Sequence, residues 1–202
     1  MARPPHANSD ATRAKILKAA THLFASQGDG KTSVRQVARE AGVAQATVHH
    51  YYESKEGLYD ACFQAMIVDL AQLIQGLRDH LEDVSPLAHR VRGAVRTAYR
   101  FAGEHRPSVR LMNRQILEAG AGAHGTRQDL LFSFIHAATP ALLTDSRLNR
   151  TELNIALYGL TCLLVRICVA EAQELARIIP GVARQDLEDH LGDLAVRMLG
   201  CD

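Results

Sequence analysis

Tryptophan is absent from this chain of 202 residues, Phe and Tyr together number ten, and cysteine occurs four times. The cysteines, at positions 62, 162, 168 and 201, form no CxxC pair or other metal-ligand spacing, and they are too sparse to staple a small secreted fold. They read as small, mostly buried apolar residues in a reducing compartment. Long apolar runs are missing as well. The longest, residues 158–170, is interrupted by Arg166 and falls short of the ~18 residues needed to cross a bilayer, so no transmembrane span is expected. The opening MARPPHANSD lacks the apolar core of a signal peptide, and the cytoplasm is the expected location. No stretch alternates at period two for long, which removes the strand signal. G-x-S-x-G, H-E-x-x-H and a His pair at i, i+4 are all lacking, so neither an enzyme, a cofactor nor a metal site is expected.

What remains is 47% hydrophobic and 22% charged, with a formal net charge of +1, enough apolar content for a core and too little charge excess for disorder. The near-neutral total hides an asymmetry. Residues 1–55 hold eight Lys and Arg against four acids, a net +4, while the remainder holds fifteen against eighteen, a net −3; all four lysines lie in the first piece. A basic first quarter on a mildly acidic body suggests a polyanion-binding head on a body with another task, although a solvated surface produces the same excess.

Apolar residues recur at helical spacing almost throughout, which predicts an all-α protein of about nine helices. The first helix is expected over about residues 10–27, with Ile16, Ala20, Leu23 and Phe24 on one face, stopped by Gly28-Asp29-Gly30. Ser33-Val-Arg-Gln36 has the spacing of a capping box, and Val34, Val37, Ala38 and Ala41 fall on one face of the short helix it opens. Gly42 ends that helix, a second short helix covers about residues 44–52, and Ser54 caps a long one reaching about Leu81. Further helices are expected at about 86–104, 107–119, 126–143, 151–178 and 184–199. Pro86 and Pro107 suit first-turn positions, and Thr126-x-x-Asp129 and Asn149-x-x-Glu152 resemble caps.

Two short helices joined through a glycine in the basic part of the chain have the outline of a helix-turn-helix. With Val48 turned to the core, a rotation of ~100° per residue points Ala46 and His50 away from it, with Thr47 and His49 flanking. The exposed face then presents Gln45, Ala46, Thr47, His49 and His50, small hydrogen-bonding groups suited to a major groove, while Tyr52 lies toward the core.

The run TRAKILKAATHLFASQGDGKTSVRQVAREAGVAQATVHHYYESKEGL, from Thr12 to Leu58, resembles the DNA-binding domain of the TetR family of bacterial transcriptional regulators. The features that carry the resemblance are the amphipathic helix ending in LFASQG, the TSVRQVAREAGV segment, the short aromatic-rich helix, and ESKEGL opening the next. The resemblance covers about a quarter of the chain. It implies a helix-turn-helix DNA-binding domain over residues 1–55 and a helical ligand-binding and dimerisation domain over 56–202. It further implies that Thr32 or Ser33 touches phosphate at the start of the second helix, with Arg35 among the DNA contacts. Gln45, Ala46, Thr47, His49 and His50 would face the groove or its backbone, and Tyr51 and Lys55 would grip phosphates. These roles are chemically sound: a lysine beside a helix N-terminus is an anion site, Gln45 can read an adenine edge, and the Thr47 methyl can meet a thymine. Three positions depart from the family pattern. Asp29 and Gly30 occupy a loop where an aromatic residue is usual, Ala44 stands where serine commonly caps the recognition helix, and His49 replaces a tyrosine. Adjacent imidazoles near phosphates can charge between pH 5 and 8, which would strengthen DNA binding as pH falls, whereas neutral histidines would act only as donors.

The resemblance also implies a homodimer formed through the last two helices and a small-molecule effector held in the body. Leu153, Ala156, Leu157, Leu160, Leu163, Leu164 and Ile167 spread over more surface than one core face requires, as in a helix packed on both its own body and a twin; a deeply buried monomer helix has the same pattern. Arginine stripes run through Arg92, Arg96 and Arg100 and through Arg106, Arg110 and Arg114. They can hold an anionic ligand or lie solvated against acids. Candidate ligand-lining residues are Arg96, Tyr99, Arg100, Met112, Gln115, Phe132, His136, Tyr158 and Cys162, which mix apolar walls with polar handles and serve equally well as ordinary core. Gly120-Ala-Gly-Ala-His-Gly125 satisfies G-x-G-x-x-G, with Asp145 twenty residues on, but the helical pattern before it denies the βαβ unit that fingerprint requires, and a loop is expected. The expected function is a ligand-responsive DNA-binding regulator, a repressor at a palindromic operator released by an effector. The alternative is a helical small-molecule-sensing module without specific DNA binding.

Overall fold

The computed structural model describes the backbone of residues 5–118, 135–136 and 138–201, and the side chains of these except for residues 5–8 and 115–118. The described residues form helices and no strand. Two compact units divide the chain: one is built from residues through Val68 and from Pro107 onward in the sixth helix, the other from 69–106 and the residues after that helix. The expected boundary at 55/56 falls at the start of α4, inside the first unit.

In the first unit, α1 (Pro5–Gln27) begins earlier than the apolar periodicity suggested and buries Ile16, Ala20, Leu23 and Phe24. It ends at Gly28, whose φ of 81° is a conformation that side chains with a Cβ avoid. A single 3-10 turn, Asp29–Lys31, leads to Thr32. The capping box forms as its spacing predicts: the Ser33 N–H donates to Gln36 Oε1 at 2.8 Å and the Gln36 N–H to Ser33 Oγ at 3.3 Å. It opens α2 (Val34–Ala41), which buries Val37 and Ala38. Gly42 closes α2 in the left-handed region, at φ 66°. Next comes α3 (Gln45–Tyr51), whose N-cap, Ala44, supplies no side-chain bond. Ser54 Oγ accepts the Gly57 N–H at 3.0 Å at the head of α4 (Lys55–Glu82).

The core of this unit gathers Ile16, Leu23, Phe24, Val37, Val48, Leu58, Phe63 and Leu111. Phe24, Tyr59 and Phe63 stack edge to face, with centroids 4.9 and 4.8 Å apart. This aromatic group anchors the core, although the loop after α1 has no aromatic residue of its own.

The second unit contains α5 (Leu87–Glu104), led by Pro86, and the start of α6 (Arg106–Glu118). After a helical stretch at 138–143 come α7 (Arg150–Val169), α8 (Ala172–Ile178) and α9 (Leu187–Met198). Asn149 and Glu152 form the expected capping box on α7, whereas Thr126 and Asp129 lie outside the described residues. The core includes Val91, Val95, Leu142, Leu153, Leu157, Leu160, Leu191 and Ala195.

One element differs from expectation. The single helix predicted over 151–178 is broken at Ala170, where the backbone is extended at φ −62°, ψ 143°. Arg106 and Arg184 both donate to the Ala170 carbonyl, and Arg106 also reaches that of Val169. Two guanidiniums thus satisfy carbonyls that continued helix would otherwise have bonded, and they suit a helix C-terminus electrostatically.

By length and composition α7 is long and apolar enough to cross a membrane, with a mean hydropathy of 1.6 over its most apolar window. The apolar run measured from the sequence alone was shorter because α7 also recruits Leu153, Ile155, Ala156 and Leu157. No disulfide joins the cysteines. Cys62 and Cys168 are buried, and desolvation pushes each thiol up to about 11. Cys162 is exposed, contrary to the burial expected of it.

Candidate nucleic-acid interface

Val48, 1% exposed, sets the rotation of α3. Gln45, Ala46, His49 and His50 consequently face solvent, with Thr47 half-buried beside them and Tyr52 buried. This is the arrangement the helical rotation predicts. Gln45 Nε2 and His49 Nε2 lie 3.4 Å apart, one turn from each other, and the His50 ring meets that of Tyr51 edge to face at 5.3 Å. The side chains on this face are short or planar, and they offer amide, hydroxyl and imidazole groups that match base edges. Arg35 and Arg39 are exposed on α2.

Three residues expected at phosphates have partners within the unit. Thr32 is buried, and its hydroxyl donates to the Gly28 carbonyl at 2.8 Å, so it fastens the loop after α1. The capping serine, Ser33, is the exposed member of that pair. Tyr51 is half-buried, and its hydroxyl donates to Ser9 Oγ at 3.1 Å. Lys55 reaches back to the Asp29 carbonyl and carboxylate. Sequence reasoning did not find Ser9 or Asp29. Ser9 gives no local signal, because it meets Tyr51 only through the early start of α1. Asp29 could have been suspected as an acid in a basic head.

A family model, bacterial regulatory proteins of the tetR family, matches residues 16–62, which span α1 to the first turns of α4. Through that stretch the chain is similar to the TetR family. It is 34% identical over 77 residues to the HTH-type transcriptional regulator BetI 2 of Chromohalobacter salexigens, covering 38% of this chain and 37% of that one. It is also 34% identical over 58 residues to the HTH-type transcriptional repressor KstR2 of Rhodococcus jostii, covering 29% and 28%. The matches thus span well under half of these curated relatives. Among solved structures, a TetR-like transcriptional regulator from Rhodococcus sp. RHA1 superposes with a TM-score of 0.67 over 95% of this chain and 97% of that one, at 21% identity. At that identity the likeness is one of fold.

The residues expected to line an effector site are dispersed. Arg96 donates to Asp189 at 2.8 Å and Arg100 chelates Glu188 at 2.9 and 2.8 Å; with Arg92 on Asp193 at 2.7 Å they form a ladder from α5 to α9. The first arginine stripe therefore lies against acids. Arg100 pulls the Glu188 carboxyl below its ordinary range, and Arg92 does the same to Asp193. Tyr99 is buried and donates to the Arg184 carbonyl at 2.9 Å; burial raises its pKa. Met112 packs on the core of the first unit. His136, Tyr158 and Cys162 are exposed, the latter two as neighbours on α7, where Cys162 raises the Tyr158 pKa. Phe132, the Gln115 side chain and the glycine-rich 120–125 segment lie outside the described residues.

Proposed function

We propose that this protein is a cytoplasmic, ligand-responsive transcriptional repressor that binds a palindromic operator as a homodimer. The observation that carries the reading is the rotation of α3, which buries Val48 and presents Gln45, Ala46, His49 and His50 to solvent on the helix that follows Gly42. Base contacts come from Gln45, Thr47, His49 and His50, while Ser33, Arg35, Tyr51 and Lys55 hold phosphates. The match of residues 16–62 to a family of regulators, together with the repressor named among the relatives, supports this over a catalyst.

The exposed apolar face of α7 supports the homodimer. Ile155 is 67% and Tyr158 52% exposed, and Cys162 continues the same face one turn on. Only 22% of the helix's most apolar window is buried within one chain. A second copy covering that face, with α9 beside it, removes this surface from water. Effector binding in the second unit shifts the population toward a form that misfits the operator, and α4, which supplies residues to both units, carries the change. Arg96 and Arg100 would meet that effector only by giving up Asp189 and Glu188 on α9.

A duplex titration across a salt series tests the reading. Affinity should fall steeply with salt as phosphate contacts are lost. Lys55→Ala should weaken all sequences alike, and Gln45→Ala should erode preference for the operator over random duplex. Equal losses on both duplexes for Gln45→Ala would contradict its role at a base.

A further inference from the structure

Asp29 occupies the turn between α1 and α2, and the turn is fixed from several sides. The Thr32 hydroxyl donates to the Gly28 carbonyl at 2.8 Å, and the Thr32 N–H to the Asp29 carbonyl at 3.1 Å. Gly28 enters the turn at a φ of 81°, a conformation that residues with a Cβ avoid. Lys55, the first residue of α4, donates from Nζ to that same Asp29 carbonyl at 3.1 Å, and its ammonium lies 3.1 Å from Asp29 Oδ1. The Lys55 side chain is 27% exposed and that of Asp29 51%. One acidic residue in a rigid turn thus applies both its carbonyl and its carboxylate to the cation assigned to DNA.

We infer that Asp29 is an intramolecular stand-in for a DNA phosphate: it holds Lys55 in place and competes with the nucleic-acid backbone for its ammonium, lowering affinity for every sequence alike. The inference rests on the DNA-binding reading of this face. An ammonium shared with a phosphate gives up part of its attraction to the Asp29 carboxylate, and losing that attraction at a charge separation of about 4–5 Å in water weakens binding about fourfold, more where DNA excludes water. The effect is independent of sequence because it acts on a phosphate contact. Asp29 therefore sets how tightly the head holds DNA in general, and leaves discrimination to α3.

Asp29→Asn separates the two contacts, since the backbone carbonyl keeps its bond to Lys55 while the charge is lost. The full chain carrying this change is titrated with operator and with random duplex over a salt series, alone and in a Lys55→Ala background. Binding should tighten about fourfold or more on both duplexes, with a salt slope steeper by up to about 0.9 as Lys55 becomes a full phosphate contact. In the Lys55→Ala background the gain should vanish. The same gain in that background would show that Asp29 acts as diffuse charge, and no gain with Lys55 intact would show that it positions without competing; either result overturns the inference. Asp29→Ser provides a second variant, and melting curves confirm that each protein is folded. A wild-type protein that binds no duplex removes this inference together with the DNA-binding reading. A wild type that binds while Asp29→Asn changes nothing removes the inference alone.

Discussion

Val48 decides which α3 side chains meet solvent, and the consequence for recognition is drawn at single residues. On the proposed reading Gln45 and Thr47 meet bases, so Gln45→Ala and Thr47→Ala should each cost about 1–3 kcal/mol on operator and little on random duplex, measured by competition binding. Gly28 has a different task. Its φ of 81° strains any residue with a Cβ, while the Arg114 guanidinium that a Cβ would approach to 2.6 Å is the movable end of a long side chain. Gly28→Ala should therefore destabilise by roughly 1 kcal/mol, from backbone strain, read from a denaturant midpoint. Much at this scale is legible in sequence, because rotation about a helix follows from one buried residue. The pairing of Lys55 with Asp29 is not, since it joins positions 26 residues apart through a turn whose geometry no local pattern specifies.

Helix ends are legible where one side chain settles them. Ser33 with Gln36 and Asn149 with Glu152 form the boxes their spacing announces. Ala44 leaves the first turn of α3 without a side-chain cap, and Ala44→Ser should raise stability by about 0.5–1 kcal/mol while leaving the α3 face in place, as thermal melting and operator titration together would show. The break at Ala170 escapes sequence reasoning for a physical reason. No glycine or proline marks it, and it is made by Arg106 and Arg184, side chains from other elements that bond the last carbonyls of α7. The arginine ladder is half legible: Arg92, Arg96 and Arg100 form an evident stripe, but their acids lie some ninety residues away on α9. Glu188 and Asp193 have depressed pKa values. The ladder's stabilisation is therefore complete above the ordinary carboxylate range of about 4 and is lost as pH falls through the lower folded values. Melting temperature should decline over that acidic window, less steeply in Glu188→Gln, and owe no pH dependence to these pairs between pH 6 and 8, where their contribution is complete.

At the scale of the whole molecule, the protein combines a head that matches the tetR family model over residues 16–62, in which α3 presents Gln45, Ala46, His49 and His50 to solvent, with a helical body whose α7 exposes Ile155, Tyr158 and Cys162. If a second copy covers that face, Tyr158→Arg should shift sedimentation toward monomer and abolish binding to a two-half-site operator, while weak binding to a single half-site persists. An effector that loosens DNA binding must itself bind less tightly in the presence of operator, by the same factor. The body was legible as helical and as a candidate dimer surface. A ligand-lining role for particular residues was not, because periodicity cannot distinguish a lining side chain from a packed one, as Tyr99 and Met112 illustrate. The central claim, a dimeric head that reads a specific sequence, is tested most directly by selecting bound sequences from a randomised duplex library with the purified protein at two salt concentrations. The account predicts a palindromic motif whose half-sites lie about one helical turn apart and whose retention falls steeply with salt; enrichment of no motif by folded protein would contradict it.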